Sequence, residues 1–119
     1  QLDEPALVSE SIPVARGELL AATQASYDAL GAGRPLGILV AAPYGSLDDA
    51  LPVLEKTPID AIALDLVKGA VPTGPTTDKV LVGGVIDGHN IWRGDLSARW
   101  RERRAPFPCT RRRKSRPTC

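Results

Sequence analysis

The sequence contains polar side chains of the types that bind small ligands or move protons, and most of them follow short apolar segments. Carboxylates and an imidazole can exchange protons, an amide donates and accepts hydrogen bonds, and a guanidinium can hold a carboxylate through two parallel bonds. We predict that these residues contact a substrate or line the end of a barrel at which the strands finish. We do not predict any of them to be a catalytic residue or a metal ligand. The candidates are Asp3, Asp65, Asp87, His89, Asn90 and Arg93.

The acidic candidates also have structural interpretations. Asp3 and Glu4 are adjacent in an extended segment, so their side chains point to opposite faces and cannot share one proton without a bend. We therefore favour structural hydrogen bonding for Asp3 over substrate contact. For Asp65 we favour an ion pair with Lys68 or Arg93 over a relic of a metal ligand.

Residues 87–93 form the strongest ligand-binding candidate in the chain. Gly88 permits an unusual backbone conformation, and Arg93 could hold a carboxylate. The alternative is a loop that closes the top of the sheet, with Trp92 packed in the core. His89 alone is interpreted as a surface or hydrogen-bonded histidine rather than a catalytic base.

Four predicted strand segments must position these side chains: residues 1–5 look like the end of a strand, and short apolar runs lie at residues 36–42, 60–67 and 79–86. Short apolar runs of this kind are typical of strands buried on both faces. Helical or loop segments separate them, which predicts about four βα units on a parallel sheet. The ligand side of such a sheet is at the carboxyl ends of its strands.

The connections carry helix signals. Residues 17–30 have apolar side chains at helical spacing. Ser46 is predicted to cap a second helix with two aspartates in its first turn, and Pro52 implies a shifted start or a kink there. Asp95 is a plausible N-cap for a helix that follows the last strand.

The net charge of +1 over 119 residues conceals two opposite regions. Residues 1–98 hold 6 basic and 13 acidic side chains, whereas residues 99–119 hold 9 basic and 1 acidic. Because residues 98–119 lack periodicity and have almost no aliphatic side chains, we predict a disordered basic tail. Its run Arg111–Lys114 could bind phosphates without specificity, but aromatic side chains are too sparse to favour a selected nucleic-acid role.

Several classes are excluded by composition. No run of 18 apolar residues exists, and the first residues do not resemble a secretory signal, so we expect no membrane partner and a cytoplasmic location. The two cysteines, Cys109 and Cys119, both lie in the tail and cannot form a disulfide framework or a four-cysteine zinc site.

Three motifs, in order, resemble the N-terminal barrel of cobalamin-independent methionine synthase. QLDEPALV at residues 1–8 is similar to the family's QxDEPxLV strand end, and LDLVK at residues 64–68 to its LDLV(R/K) strand. GVIDGHNIWR at residues 84–93 resembles its GVxDGRNIWR segment, with His89 where arginine is usual.

The resemblance implies a fold and an activity. The family has two facing (βα)8 barrels and transfers a methyl group from 5-methyltetrahydrofolate, carrying a polyglutamate chain, to the thiol of homocysteine. Zinc in the C-terminal barrel activates that thiol, because coordination keeps it deprotonated near neutral pH. The N-terminal barrel resembles a duplicate that lost the metal and helps to shape the folate site.

The chain resembles strands four to seven of that non-catalytic barrel. Ala41 and Pro43 stand where the catalytic barrel has a zinc-binding His and Cys, and Asp65 where it has a zinc-binding Glu. Asp3 matches the substrate-binding Asp of the catalytic barrel, whereas Ser9 replaces a nearby Glu. The resemblance therefore implies that zinc binds outside this chain and that no cofactor binds within it.

We thus expect an α/β fold, a partial (βα)8 TIM barrel over residues 1–97, followed by the tail over residues 98–119. The tail has the composition of GC-rich DNA translated out of frame, which suggests a frameshift near codons 97–100. The expected function is that of a methyltransferase fragment that is inactive alone and needs the missing barrel halves. The alternative is a small non-enzymatic protein whose tail binds nucleic acid or acidic partners.

Overall fold

Four short strands form one parallel sheet in the computed structural model, which describes residues 1–33, 35–72, 77–90, 92–95, 97–98 and 101. The sheet order is β1-β2-β3-β4, with every neighbouring pair parallel. Each strand lies within a predicted strand segment, which confirms the α/β class and the parallel βα organisation. The strands are β1 (Leu2–Asp3), β2 (Leu39–Ala42), β3 (Ala61–Asp65) and β4 (Val80–Gly84).

The helix predicted over residues 17–30 is present, but the second helix does not begin at the predicted cap, Ser46. Helix α1 spans Arg16–Gly31, and helix α2 spans Leu51–Lys56 with Pro52 in its first turn. Ser46 does not cap α2, because proline fits only the first turn and so shifts the helix start to residue 51. The Ser46 hydroxyl instead donates to the Asp48 carboxylate at 2.6 Å, beside a 3-10 turn at Asp48–Ala50.

No helix among the described residues has the length and apolarity to cross a membrane.

The core lies on one face of the sheet. Val40, Ala42, Ile62 and Leu64 are buried, and they form one cluster with side chains of both helices that includes Tyr27 and Leu54. The alternate residues of β2 and β3 are only half-buried. The prediction of strands buried on both faces is therefore wrong for the described residues, although both faces are apolar.

The outer strands have free edges within the described part of the chain. β1 and β4 each pair with one neighbour only. On β4, Val80 is 62% exposed and Val82 is 44% exposed. The apolar second face and the free edges are compatible with a segment of a barrel wall.

A side-chain ion pair fixes the start of α1 to the 3-10 turn before α2. The Arg16 guanidinium donates to the Asp49 carboxylate, with the shortest distance, 2.6 Å, from Nη2 to Oδ1. The same Nη2 donates to the Leu7 carbonyl at 2.8 Å. The hydrogen bond from Arg16 lowers the pKa of Asp49.

The segment after β4 confirms one cap prediction. The Asp95 carboxylate accepts the Ala98 N–H at 2.9 Å, and Ser97 and Ala98 are helical. Of the predicted basic tail at residues 98–119, the structure describes only Ala98 and Arg101, both helical. The predicted disorder beyond them, the nucleic-acid alternative at Arg111–Lys114 and the frameshift lie outside the described residues.

Candidate functional site at the carboxyl ends of the strands

An open groove of about 490 Å³ lies at the carboxyl ends of β2, β3 and β4. Ala41, Ala63 and Val82 are neighbours in the strand register and form its floor. Because two of these three residues are alanines, their small side chains leave space over this part of the sheet. The volume falls within the range of small-molecule sites in proteins.

Tyr44 stands at the rim of the groove with its backbone in the left-handed region. Its φ is +79°, its side chain is 62% exposed, and it lies in the turn after β2. The Tyr44 N–H donates to Asp65 Oδ2 at 2.9 Å, which holds the turn against the end of β3. A non-glycine residue in this conformation is uncommon, and such residues concentrate at functional sites.

Asp65 binds backbone rather than a cation or a metal. Oδ1 accepts the N–H groups of Val67 and Lys68 at 2.8 and 2.9 Å, and Oδ2 accepts that of Tyr44. Partial burial by itself would raise the pKa of Asp65, but these three donors and the Lys68 charge outweigh it and lower the pKa. Among the described residues Asp65 forms no direct ion pair with Lys68 or Arg93, so that prediction is wrong as a contact; the carboxylate oxygens accept backbone N–H groups of the turns after β2 and β3, and the Lys68 charge acts on Asp65 without direct contact.

Gly69 allows the turns after β2 and β3 to pack together. Its N–H donates to the Asp65 carbonyl at 3.2 Å. A Cβ at this position would lie 2.5 Å from the carbonyl oxygens of both Asp65 and Gly45. The close approach of backbone to backbone therefore requires glycine.

Lys68, Tyr44 and His89 form an array across the groove. Lys68 Nζ lies 5.4 Å from the centroid of the Tyr44 ring, within the range of a cation–π interaction. The His89 ring meets the Tyr44 ring edge-on at a centroid distance of 6.3 Å and an angle of 61°. The aromatic ring thus lies beside two groups that can carry positive charge.

The segment after β4 is a series of turns that its own side chains support. Asp87 Oδ1 accepts the His89 N–H at 3.0 Å and lies 3.7 Å from His89 Nδ1. Asn90 Oδ1 accepts the Trp92 N–H at 2.9 Å. Trp92 is 77% exposed, so its predicted role in the core is wrong.

Asp3 and Glu4 point to different partners, as their positions in an extended segment predict. Asp3 accepts the Gln1 side-chain amide at 2.7 Å, and Glu4 Oε1 accepts the Tyr27 hydroxyl at 2.7 Å. Burial, followed by the Glu4 hydrogen bond, raises the pKa of Tyr27. Asp3 is aligned with Ala41 in the strand register but does not line the groove.

The groove therefore brings together three of the six candidates, Asp65, Asp87 and His89, whereas Asp3, Asn90 and Arg93 lie outside its lining. Tyr44 and Lys68 line it although they were not among the candidates. Their positions directly after β2 and β3 were the available signal, because strand ends share one edge in a parallel sheet.

The described residues do not fit a zinc ion. No group of three or more His, Cys, Asp or Glu side chains in this part of the chain could hold a metal. Both oxygens of Asp65, which the resemblance aligns with a zinc ligand, accept backbone N–H groups instead.

A four-stranded parallel sheet with helices on one face and a groove at its carboxyl ends places the chain in the α/β class and is compatible with part of a (βα)-barrel. The sequence model of the family described as "Cobalamin-independent synthase, N-terminal domain" matches residues 1–104. The chain belongs to this family.

Curated relatives agree with that assignment. Proteins named 5-methyltetrahydropteroyltriglutamate–homocysteine methyltransferase are similar to this chain at 47% identity over 102 residues in Rhodococcus jostii and at 46% over 105 residues in Streptomyces avermitilis. A protein of the same name from Salinibacter ruber is 40% identical over 104 residues. The matches cover 82%, 81% and 82% of this chain but only 13% of each relative. No solved structure matches the chain.

Proposed function

We propose that this chain forms part of the N-terminal barrel of an enzyme that transfers a methyl group from 5-methyltetrahydropteroyltriglutamate to homocysteine. The observation that carries the proposal is the family match over residues 1–104, together with relatives named for this reaction. The chain spans 13% of the length of those relatives, so the proposed activity belongs to a larger assembly.

Within that assembly the chain supplies structure and a ligand-facing surface rather than the reacting groups. Asp65 is committed to three backbone N–H groups, and Asp87 accepts a backbone N–H from His89. Because both oxygens of Asp65 accept backbone N–H groups, Asp65 is not proposed as a base. The proposal therefore has zinc and the homocysteine thiol bound by the C-terminal barrel and this chain inactive alone.

The partners follow from the open sheet. The free edges of β1 and β4 and the apolar face that carries Val80 and Val82 need further βα units to cover them. We propose that the rest of the barrel supplies these units. We also propose that the assembly works in the cytoplasm.

A chimaera tests the proposal. Residues 1–95 of this chain would replace the matching segment of the Rhodococcus jostii enzyme, and methionine formation from methyltetrahydropteroyltriglutamate and homocysteine would be measured. We expect turnover within about tenfold of the parent enzyme, and none above background from the 119-residue chain with added zinc. A folded chimaera without turnover, or turnover by the chain alone, would contradict the proposal.

A further inference from the structure

No further inference is drawn: the strongest candidate, the exposed apolar patch that Leu2, Leu30 and Leu36 form at the amino ends of β1 and β2, carries none because nothing in the described part of the chain shows what covers it.

Discussion

The Tyr27 hydroxyl donates a 2.7 Å hydrogen bond to Glu4 Oε1, joining the middle of α1 to the residue that follows β1. Tyr27 is a buried member of the core, whereas Glu4 is only half-buried. The bond therefore fixes the helix layer to the carboxyl end of the first strand.

Tyr27→Phe should lower the free energy of unfolding by about 1–2 kcal/mol, because it removes a hydrogen bond to a charged acceptor while keeping the ring in the core. Urea denaturation followed by circular dichroism measures the change. In the Glu4→Gln background the same substitution should cost less, since the charged acceptor is already lost. Equal costs in both backgrounds would show that the bond contributes nothing of its own.

Asp65→Asn should destabilise the chain by about 1–2 kcal/mol, because an amide oxygen replaces a carboxylate that accepts three backbone N–H groups and is partly exposed to water. The control is Asp28→Asn, an exposed position on α1, which should stay within about 0.5 kcal/mol of wild type. Thermal unfolding compares the variants.

The Asp65 contribution should also depend on pH. The pKa of Asp65 is lowered in the folded chain, so its contribution is present above the ordinary value of 3.8 and is lost as the pH falls through the lowered value. The stability difference between wild type and Asp65→Asn should therefore shrink between about pH 6 and about pH 2. A difference that stays constant over this range would show that the charge of Asp65 is not involved.

Gly69→Ala should destabilise the chain by about 1–3 kcal/mol, because the added Cβ would lie 2.5 Å from two backbone oxygens that cannot easily move apart. Gly88→Ala is the matched control in the same region, since a Cβ there meets nothing within 4 Å. Equal stabilities of the two variants, measured by urea denaturation, would mean that the two turns are not packed as described.

Arg16 and Asp49 should couple weakly despite their short distance. Both side chains are partly exposed, so a double-mutant cycle with Arg16→Gln and Asp49→Asn should give about 0.2–1 kcal/mol at low salt and less at high salt. A coupling energy above about 2 kcal/mol would indicate a pair that water does not screen.

Strands and the first helix could be predicted from sequence because their signals are contained in the segments themselves. The apolar runs at residues 36–42 and 60–67 contain β2 and β3, and the helical spacing over residues 17–30 matches α1 to within one residue at each end. Asp95 as a cap was likewise predictable, because its hydrogen bond spans only three residues.

Other features depend on packing between distant segments and could not be predicted. The bond between Tyr27 and Glu4 joins residues 23 apart, and neither residue alone indicates it. The negative charge of Asp65 suggested an ion pair with a cationic side chain. In the structure its carboxylate accepts backbone N–H groups from the turns after β2 and β3 instead. The alternative interpretation of residues 87–93 as a closing loop placed Trp92 in the core, whereas the structure leaves Trp92 exposed.

The parallel register of the sheet has a consequence for how the chain folds. Each strand pair joins residues far apart in sequence: Leu2 aligns with Val40, Val40 with Ile62, and Ile62 with Leu81. No strand pair can form as a hairpin, so each must first lose the entropy of closing a long loop. The backbone hydrogen bonds of helix α1 join residues about four apart, so the helix can begin to form before any strand pair. The sheet should therefore be the slow step in folding, with β2 and β3 assembling against a helix that has already formed.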